Sequence, residues 1–330
     1  MISVISTVLN EGDHLRRLLD SLVAQTCPPD EVIIVDGGSR DNTVAVLKEY
    51  EDRLPLRVLV EPGANISAGR NRAIAAAQGD IIAATDAGVV LDREWLKRIT
   101  QPLIDDPAVE VVAGFFAMDA RTVFEAAMGA TAFPLVDEVD PETFLPSSRS
   151  VAFRKSAWAT VGGYPEWLDY CEDLVFDLRL KQTAAPLTFA PEALAYYRPH
   201  GDLNSFYKTY QRYARGDGKA DLFRKRHAAR YLTYLVAIPL IFLLGWRVQR
   251  VLWGLYLLGG AVYLRAPYQR LGRVLDSAAN NGVRVDSTDR LYAAALVPII
   301  RVVGDVAKMI GYPQGVRWRR EHHPPDWKDI

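Results

Sequence analysis

Cysteine is nearly missing: Cys27 and Cys171 are the only two in 330 residues. That excludes a disulfide-stapled scaffold and a cysteine-rich zinc site. No Gly-x-Gly-x-x-Gly follows the first apolar run, where Val8-Leu9-Asn10-Glu11-Gly12 stands instead. That excludes a dinucleotide-binding dehydrogenase. No repeat or low-complexity tract is present, and no uncharged run reaches the roughly 20 residues that usually cross a bilayer. The opening MISVISTVLNEG lacks a basic n-region, so no signal peptide is expected there.

Net charge is nearly missing as well, at −1, but the balance is uneven along the chain. Residues 1–222 carry 22 Lys and Arg against 33 Asp and Glu, and residues 223–330 carry 17 against 7. An acidic front argues against nucleic acid as a partner, and a basic rear suits an anionic surface such as a phospholipid leaflet. Hydrophobic residues make up 49% of the chain, enough for a sizeable core, and the length fits two units.

Residues 1–116 alternate short apolar runs with helical patterns. Strands are predicted at Ile2–Val8, Glu31–Val35, Leu56–Val60, Ile81–Thr85 and Val109–Phe116. Helices are predicted around Leu15–Val23, Thr43–Tyr50, Ile66–Gln78 and Trp95–Leu103. This alternation implies an α/β fold with a mostly parallel sheet covered on both faces. Ligands bind such sheets beyond the carboxyl ends of the strands. The polar clusters Thr7 to Glu11, Asp36 to Ser39 and Thr85 to Gly88 fall there. Further on, a strand is predicted within Phe144–Phe153, and helices at Glu172–Lys181 and Leu203–Arg215.

The rear is different. Tyr231–Trp246 is uncharged over 16 residues and Val251–Leu264 over 14. Arg224, Lys225, Arg226 and Arg230 precede the pair, and Arg265, Arg270 and Arg273 follow it, so both outer ends are expected on the cytoplasmic side. The runs read as a bilayer hairpin, as two helices lying in the interface, or as a buried helical pair. Leu291–Ile310, interrupted by Arg301, Asp305 and Lys308, reads as amphipathic. The expected domains are therefore 1–222, catalytic, and 223–330, helical and membrane-associated.

Chemistry gathers in a few short motifs. Val35-Asp36-Gly37-Gly38-Ser39 ends a strand in a tight turn, and Asp41 or Asn42 suits a helix cap. Ser67-Ala68-Gly69-Arg70-Asn71-Arg72 places a planar donor fork early in a helix. Asp86, at the end of a buried strand, needs hydrogen bonds or a metal to offset its burial.

Thr7-Val8-Leu9-Asn10-Glu11, Asp36-Gly37-Gly38-Ser39, Gly69-Arg70-Asn71, Gly79-Asp80 and Asp86-Ala87-Gly88 occur in one order, and Gly162-Gly163-Tyr164 with Glu172-Asp173 extends it. The order and spacing resemble those of family 2 glycosyltransferases, inverting enzymes of the GT-A fold that use nucleotide-sugar donors. The resemblance covers about residues 1–220. It implies donor-binding roles for Thr7, Asn10, Glu11, Asp36, Arg70 and Asp86. It implies catalytic roles for Asp173 and Glu172, with Asp173 as the general base that deprotonates the acceptor hydroxyl. It also implies a divalent metal, Mg²⁺ or Mn²⁺, at Asp86, with His200 as a second candidate ligand. Gly88 departs from the family pattern, because the second Asp of Asp-x-Asp, usually a direct metal ligand, belongs there. Arg212 and Arg215 are expected to close over the donor phosphates. Thr209 and Tyr213 depart from the Gln-x-x-Arg-Trp signature of processive synthases, so transfer of a single sugar is expected. The expected acceptor is lipid-linked or a polysaccharide, at the cytoplasmic face of a bacterial inner membrane. The alternative is a catalytically degenerate relative kept as a membrane scaffold.

Overall fold

A computed structural model describes residues 1–183 and 187–327. In chain order the front half reads β1 (Ile2–Val8), α1 (Arg16–Val23), β2 (Glu31–Asp36), α2 (Thr43–Lys48), β3 (Leu56–Val60), α3 (Ile66–Ala76), β4 (Ile81–Ala84), β5 (Val89–Leu91), α4 (Trp95–Asp105) and β6 (Val111–Met118). Next come α5 (Val123–Ala132), β7 (Val151–Arg154), α6 (Lys155–Thr160), α7 (Glu172–Thr183) and β8 (Thr188–Tyr197). The rear holds α8 (Leu203–Lys219), α9 (Arg224–Leu232), α10 (Ile238–Arg247), α11 (Gly254–Asn280) and α12 (Ser287–His322).

The strands form one mixed sheet in the order β3-β2-β1-β4-β7-β6-β8-β5. β3, β2, β1 and β4 run parallel, and β7 pairs antiparallel with both β4 and β6. Alternation along the central strands divides the core in two. Val4, Val8, Val32 and Ile34 face one side with Leu18, Leu22, Leu47, Trp95 and Ile99. Ile5, Ile33 and Val35 face the other with Ala73, Ile74, Ala157 and Phe176. Because a strand's side chains alternate with period two, a buried strand needs apolar residues at consecutive positions, and β1 and β2 have them.

The chain divides into two compact units at places other than residue 222. The first holds Met1–Ala117 and Leu135–Tyr197, with the described part of the C-terminal end from Pro325. The second holds Met118–Pro134 and Arg198–Pro324, so α5 and α8 go with the rear helices. The reason is visible in α8 and α12. A Cβ on Gly311 would lie 2.0 Å from the carbonyl oxygen of Gln211, and one on Gly315 2.0 Å from that of Arg215. The two helices therefore meet backbone to backbone, where only glycine fits. The Gly216-Asp217-Gly218 segment accordingly does not stop α8, which runs on to Lys219.

The first apolar run lies in one continuous helical stretch, Arg224–Arg247, of 24 residues and mean hydropathy 1.7. It is long and apolar enough to cross a membrane, and only 6% of its most apolar window is buried. The second run opens the 27-residue α11, where Leu257 and Val262 are 80% and 71% exposed. A buried helical pair therefore does not describe these segments. The charge that interrupts α12 is resolved internally: Asp305 is buried and accepts from Arg230 Nε at 2.7 Å, Tyr263 Oη at 2.5 Å and Tyr234 Oη at 3.2 Å.

Candidate active site

The site is built where β1 and β4 end, in the first unit. Arg70 stands one turn into α3, whose start is capped by Asn65 Oδ1 accepting from Ala68 N at 2.9 Å. Gly69 lets the helix sit against β1, since a Cβ there would lie 2.8 Å from Thr7 Cγ2. Thr7 thus marks the floor of the site by packing. Asn71 secures the far side. Its side-chain amide donates to the Tyr164 carbonyl at 2.8 Å, and its Oδ1 accepts from Tyr164 N at 2.9 Å and Trp158 Nε1 at 3.0 Å. Gly163, at φ +74°, has the left-handed backbone this turn requires. Gly-Arg-Asn and Gly-Gly-Tyr, 93 residues apart, are therefore two halves of one joint.

Arg70 is 2% exposed and bridges two carboxylates. Its Nη2 donates to Asp86 Oδ1 at 2.7 Å and its Nη1 to Glu172 Oε1 at 2.6 Å. The guanidinium also lies 5.2 Å from the centre of the Tyr164 ring, whose hydroxyl is 3.0 Å from Ser148 Oγ. Burial alone would lower the Arg70 pKa, but Asp86 and Glu172 more than offset it and hold the group charged. Burial pushes the Asp86 carboxyl up, yet Arg70 and Arg149 pull it below its ordinary value, so it is a carboxylate. Glu11 is pushed the other way, by burial first and then by the charge on Asp86.

α7 brings the second carboxylate group. Cys171, buried and at φ +65°, turns the chain into the helix so that Glu172 and Asp173 open it. A non-glycine residue in the left-handed region is costly backbone, of the kind that collects at functional sites. Glu172 is raised to about 7, by burial first and then by Asp173, against the pull of Arg70. Its position corrects the expectation that it works beside Asp173 on the substrate: it is buried and tied to Arg70. Asp173 is half-buried, and its Oδ1 accepts from Leu174 N at 2.9 Å. Asp177, one turn on, is buried and pushed well up by burial and then by Asp173.

The other candidates fall into two groups. Asp36 is fully buried, and its carboxylate accepts from Gly38 N at 3.1 Å, Ser39 N at 2.9 Å and Ser39 Oγ. It shapes its own turn here. Asn10, at φ +56°, donates its N–H to Ser39 Oγ at 2.8 Å and accepts from Arg40 N at 2.9 Å, so it locks that turn to the end of β1. Arg212, Arg215 and His200 belong to the second unit. Sequence reasoning missed Arg149, whose Nε lies 3.8 Å from Asp86 Oδ2. Only the strand pairing could have found it. Ile81 pairs with Arg154 and Ala84 with Val151, and the same antiparallel register carried on sets position 149 opposite Asp86.

Among the described residues, no three His, Cys, Asp or Glu side chains gather to hold a metal ion. Asp86, the expected ligand, has one oxygen on Arg70 and the other facing Arg149. Such a donor set does not fit a resident divalent cation.

Residues 3–150 match the family model described as Glycosyl transferase family 2. Over those residues, a little under half of its length, the chain is similar to family 2 glycosyltransferases. An uncharacterized glycosyltransferase, YibD of Escherichia coli, is 40% identical over 87 residues, which are 26% of this chain and 25% of that protein. The O-antigen chain rhamnosyltransferase RfbN of Salmonella typhimurium is 22% identical over 224 residues, covering 63% of this chain and 71% of its own. The chain thus spans a quarter of the length of the first and about seven-tenths of the second. The mannosyltransferase PcManGT of Pyrobaculum calidifontis, solved with GDP-Man and Mn²⁺, superposes with a TM-score of 0.55 at 18% identity, over 98% of this chain and 87% of that one. At that identity the likeness establishes the fold, and it is the GT-A fold.

Proposed function

We propose that this glycosyltransferase domain moves one sugar, with inversion, from a nucleoside diphosphate to a hydroxyl group of a lipid-linked or polysaccharide acceptor. The observation that carries the reading is the buried Arg70, which joins Asp86 and Glu172 beside Asp173 at the carboxyl ends of β1 and β4. Asp86 and Glu11 face the donor's ribose, and the turn built by Asn10, Asp36 and Ser39 flanks the base. Asp173 is the carboxylate next to the cluster that is less buried than Glu172, and it takes the proton of the attacking hydroxyl. The acceptor oxygen bonds to the anomeric carbon as the bond from that carbon to the diphosphate breaks. The bonding electrons leave with the diphosphate. Glu172 acts through Arg70, holding its fork in place.

Cell-envelope polysaccharide synthesis is the setting this reading favours, in keeping with the O-antigen rhamnosyltransferase among the relatives. The exposed apolar helices and the basic residues that flank them support attachment to the cytoplasmic face of a bacterial inner membrane.

Binding of UDP-, GDP- and dTDP-sugars to the full chain, followed by thermal unfolding, tests the reading. One class is expected to raise the unfolding midpoint, with the gain lost in Asp86→Ala. Stabilisation by none of them, or an equal gain in Asp86→Ala, overturns it and leaves the scaffold alternative.

A further inference from the structure

Asp86 is already balanced by two guanidiniums, and the second is set in place by the fold. Arg149 precedes β7 and stands opposite Asp86 in the β4–β7 register. Its carbonyl accepts from the buried Thr85 Oγ1 at 3.0 Å, and its Nη1 donates to Ser147 Oγ at 2.9 Å. The guanidinium lies 4.5 Å from the Tyr197 ring centre and 5.3 Å from that of Phe116. The side chain keeps 20% of its surface exposed. Two residues on from Asp86, a Cβ on Gly88 would meet nothing within 4 Å, so the chain there borders open space. A divalent cation entering there would have to take Asp86 from Arg70 and Arg149 and then sit against both like charges. An anion would meet a planar donor fork held in position.

Resting on the glycosyl-transfer reading above, we propose that Arg149 binds the donor diphosphate, so that donor binding in this chain needs no divalent cation. The guanidinium suits two phosphate oxygens at once and cannot be deprotonated. Fixed before the reaction, it faces the charge that appears on the diphosphate as the bond to the anomeric carbon breaks. The electron pair stays on that diphosphate oxygen, the acceptor oxygen takes the anomeric carbon, and the acceptor proton goes to Asp173. Arg149 neither gains nor loses a proton.

The test is isothermal titration of the full chain with UDP, GDP and dTDP, each in Mn²⁺ and in EDTA. Wild type, Arg149→Ala, Arg149→Lys and Gly88→Asp are compared. The nucleotide that binds wild type is expected to bind in EDTA within about threefold of its affinity in Mn²⁺. Arg149→Ala is expected to weaken binding at least about tenfold, the scale of one charge-assisted hydrogen bond, with Arg149→Lys in between. Gly88→Asp adds a carboxylate and is expected to make binding respond to Mn²⁺. Wild-type binding in Mn²⁺ but not in EDTA overturns this inference alone, as does Arg149→Ala binding as tightly as wild type. Binding in no arm overturns the glycosyl-transfer reading and this inference with it. Circular dichroism checks that Arg149→Ala is folded, and where it is not, the wild-type EDTA arm and Arg149→Lys decide.

Discussion

Both units bury charge, and they treat it in opposite ways. In the second unit, Asp305 is met by Arg230 and two tyrosine hydroxyls, and the helices around it meet through glycine. In the first unit, one buried arginine faces Asp86, Glu172 and Asp173, and burial, followed by the charge on Asp173, pushes Glu172 and Asp177 up against the arginine's pull. Asp177 Oδ2 has no hydrogen-bond partner among the described residues. A satisfied network makes a scaffold. A crowded, acid-rich one is kept where chemistry uses it.

Arg70→Ala breaks the comparison hardest. It leaves Asp86 and Glu172 without their shared cation, and breaking a buried pair costs about 3–5 kcal/mol. Chemical denaturation measures it; a loss under about 1 kcal/mol, the scale of an exposed pair, would mean the bridge is solvated. Gly311→Ala is the counterpart in the second unit. Its Cβ collides with the Gln211 carbonyl, and overpacking of that kind costs about 1–3 kcal/mol, whereas Gly88→Ala, with open space around it, is expected to stay within about 0.5 kcal/mol of wild type. Equal losses at the two glycines would contradict the backbone contact between α8 and α12.

Exposure gives the next contrast. Leu257 and Leu258 are 80% and 63% exposed. Replacing both by Glu is expected to move the chain from the floating to the soluble fraction in flotation with anionic vesicles while leaving its fold intact. Unchanged flotation would detach the apolar helices from membrane binding. The smallest effect is a slope. Glu172 has its ordinary 4.5 raised to about 7, so the folded form holds a proton that the unfolded chain has already released. Its contribution to stability is full below pH 4.5 and is lost as pH rises towards 7. Glu172→Gln is expected to flatten that decline in unfolding midpoints measured across the window; an unaltered slope would assign the proton elsewhere.

The first unit was the more legible. β-branched runs betrayed β1 and β2, because a strand covered on both faces carries apolar residues at consecutive positions, as Val4-Ile5 and Val32-Ile33-Ile34-Val35 do. Thr7, Asp86 and Glu172 stood out because each lies at or beside an element's end, where a polar residue interrupts the apolar pattern, and Arg70 stood out in the Gly-Arg-Asn motif one turn into α3. Arg149 was not, since its place beside Asp86 comes from a strand end that pairs with Thr85 at a sequence separation of 64 rather than from its neighbours. β5 is three residues long and was hidden for the same reason. β8 was missed too: its exposed stretch at Pro191 and Glu192 breaks the apolar alternation. The boundary at 222 followed the change in composition, whereas α8 joins the rear through glycines whose contact surface is backbone.

Asp173→Asn carries the central claim most directly, with transfer rate and donor affinity measured on the same preparation. The account predicts at least a hundredfold loss of turnover, on the order of what one general base supplies, with donor affinity within about threefold of wild type. Turnover that survives the change, or a loss explained wholly by weaker donor binding, would contradict it.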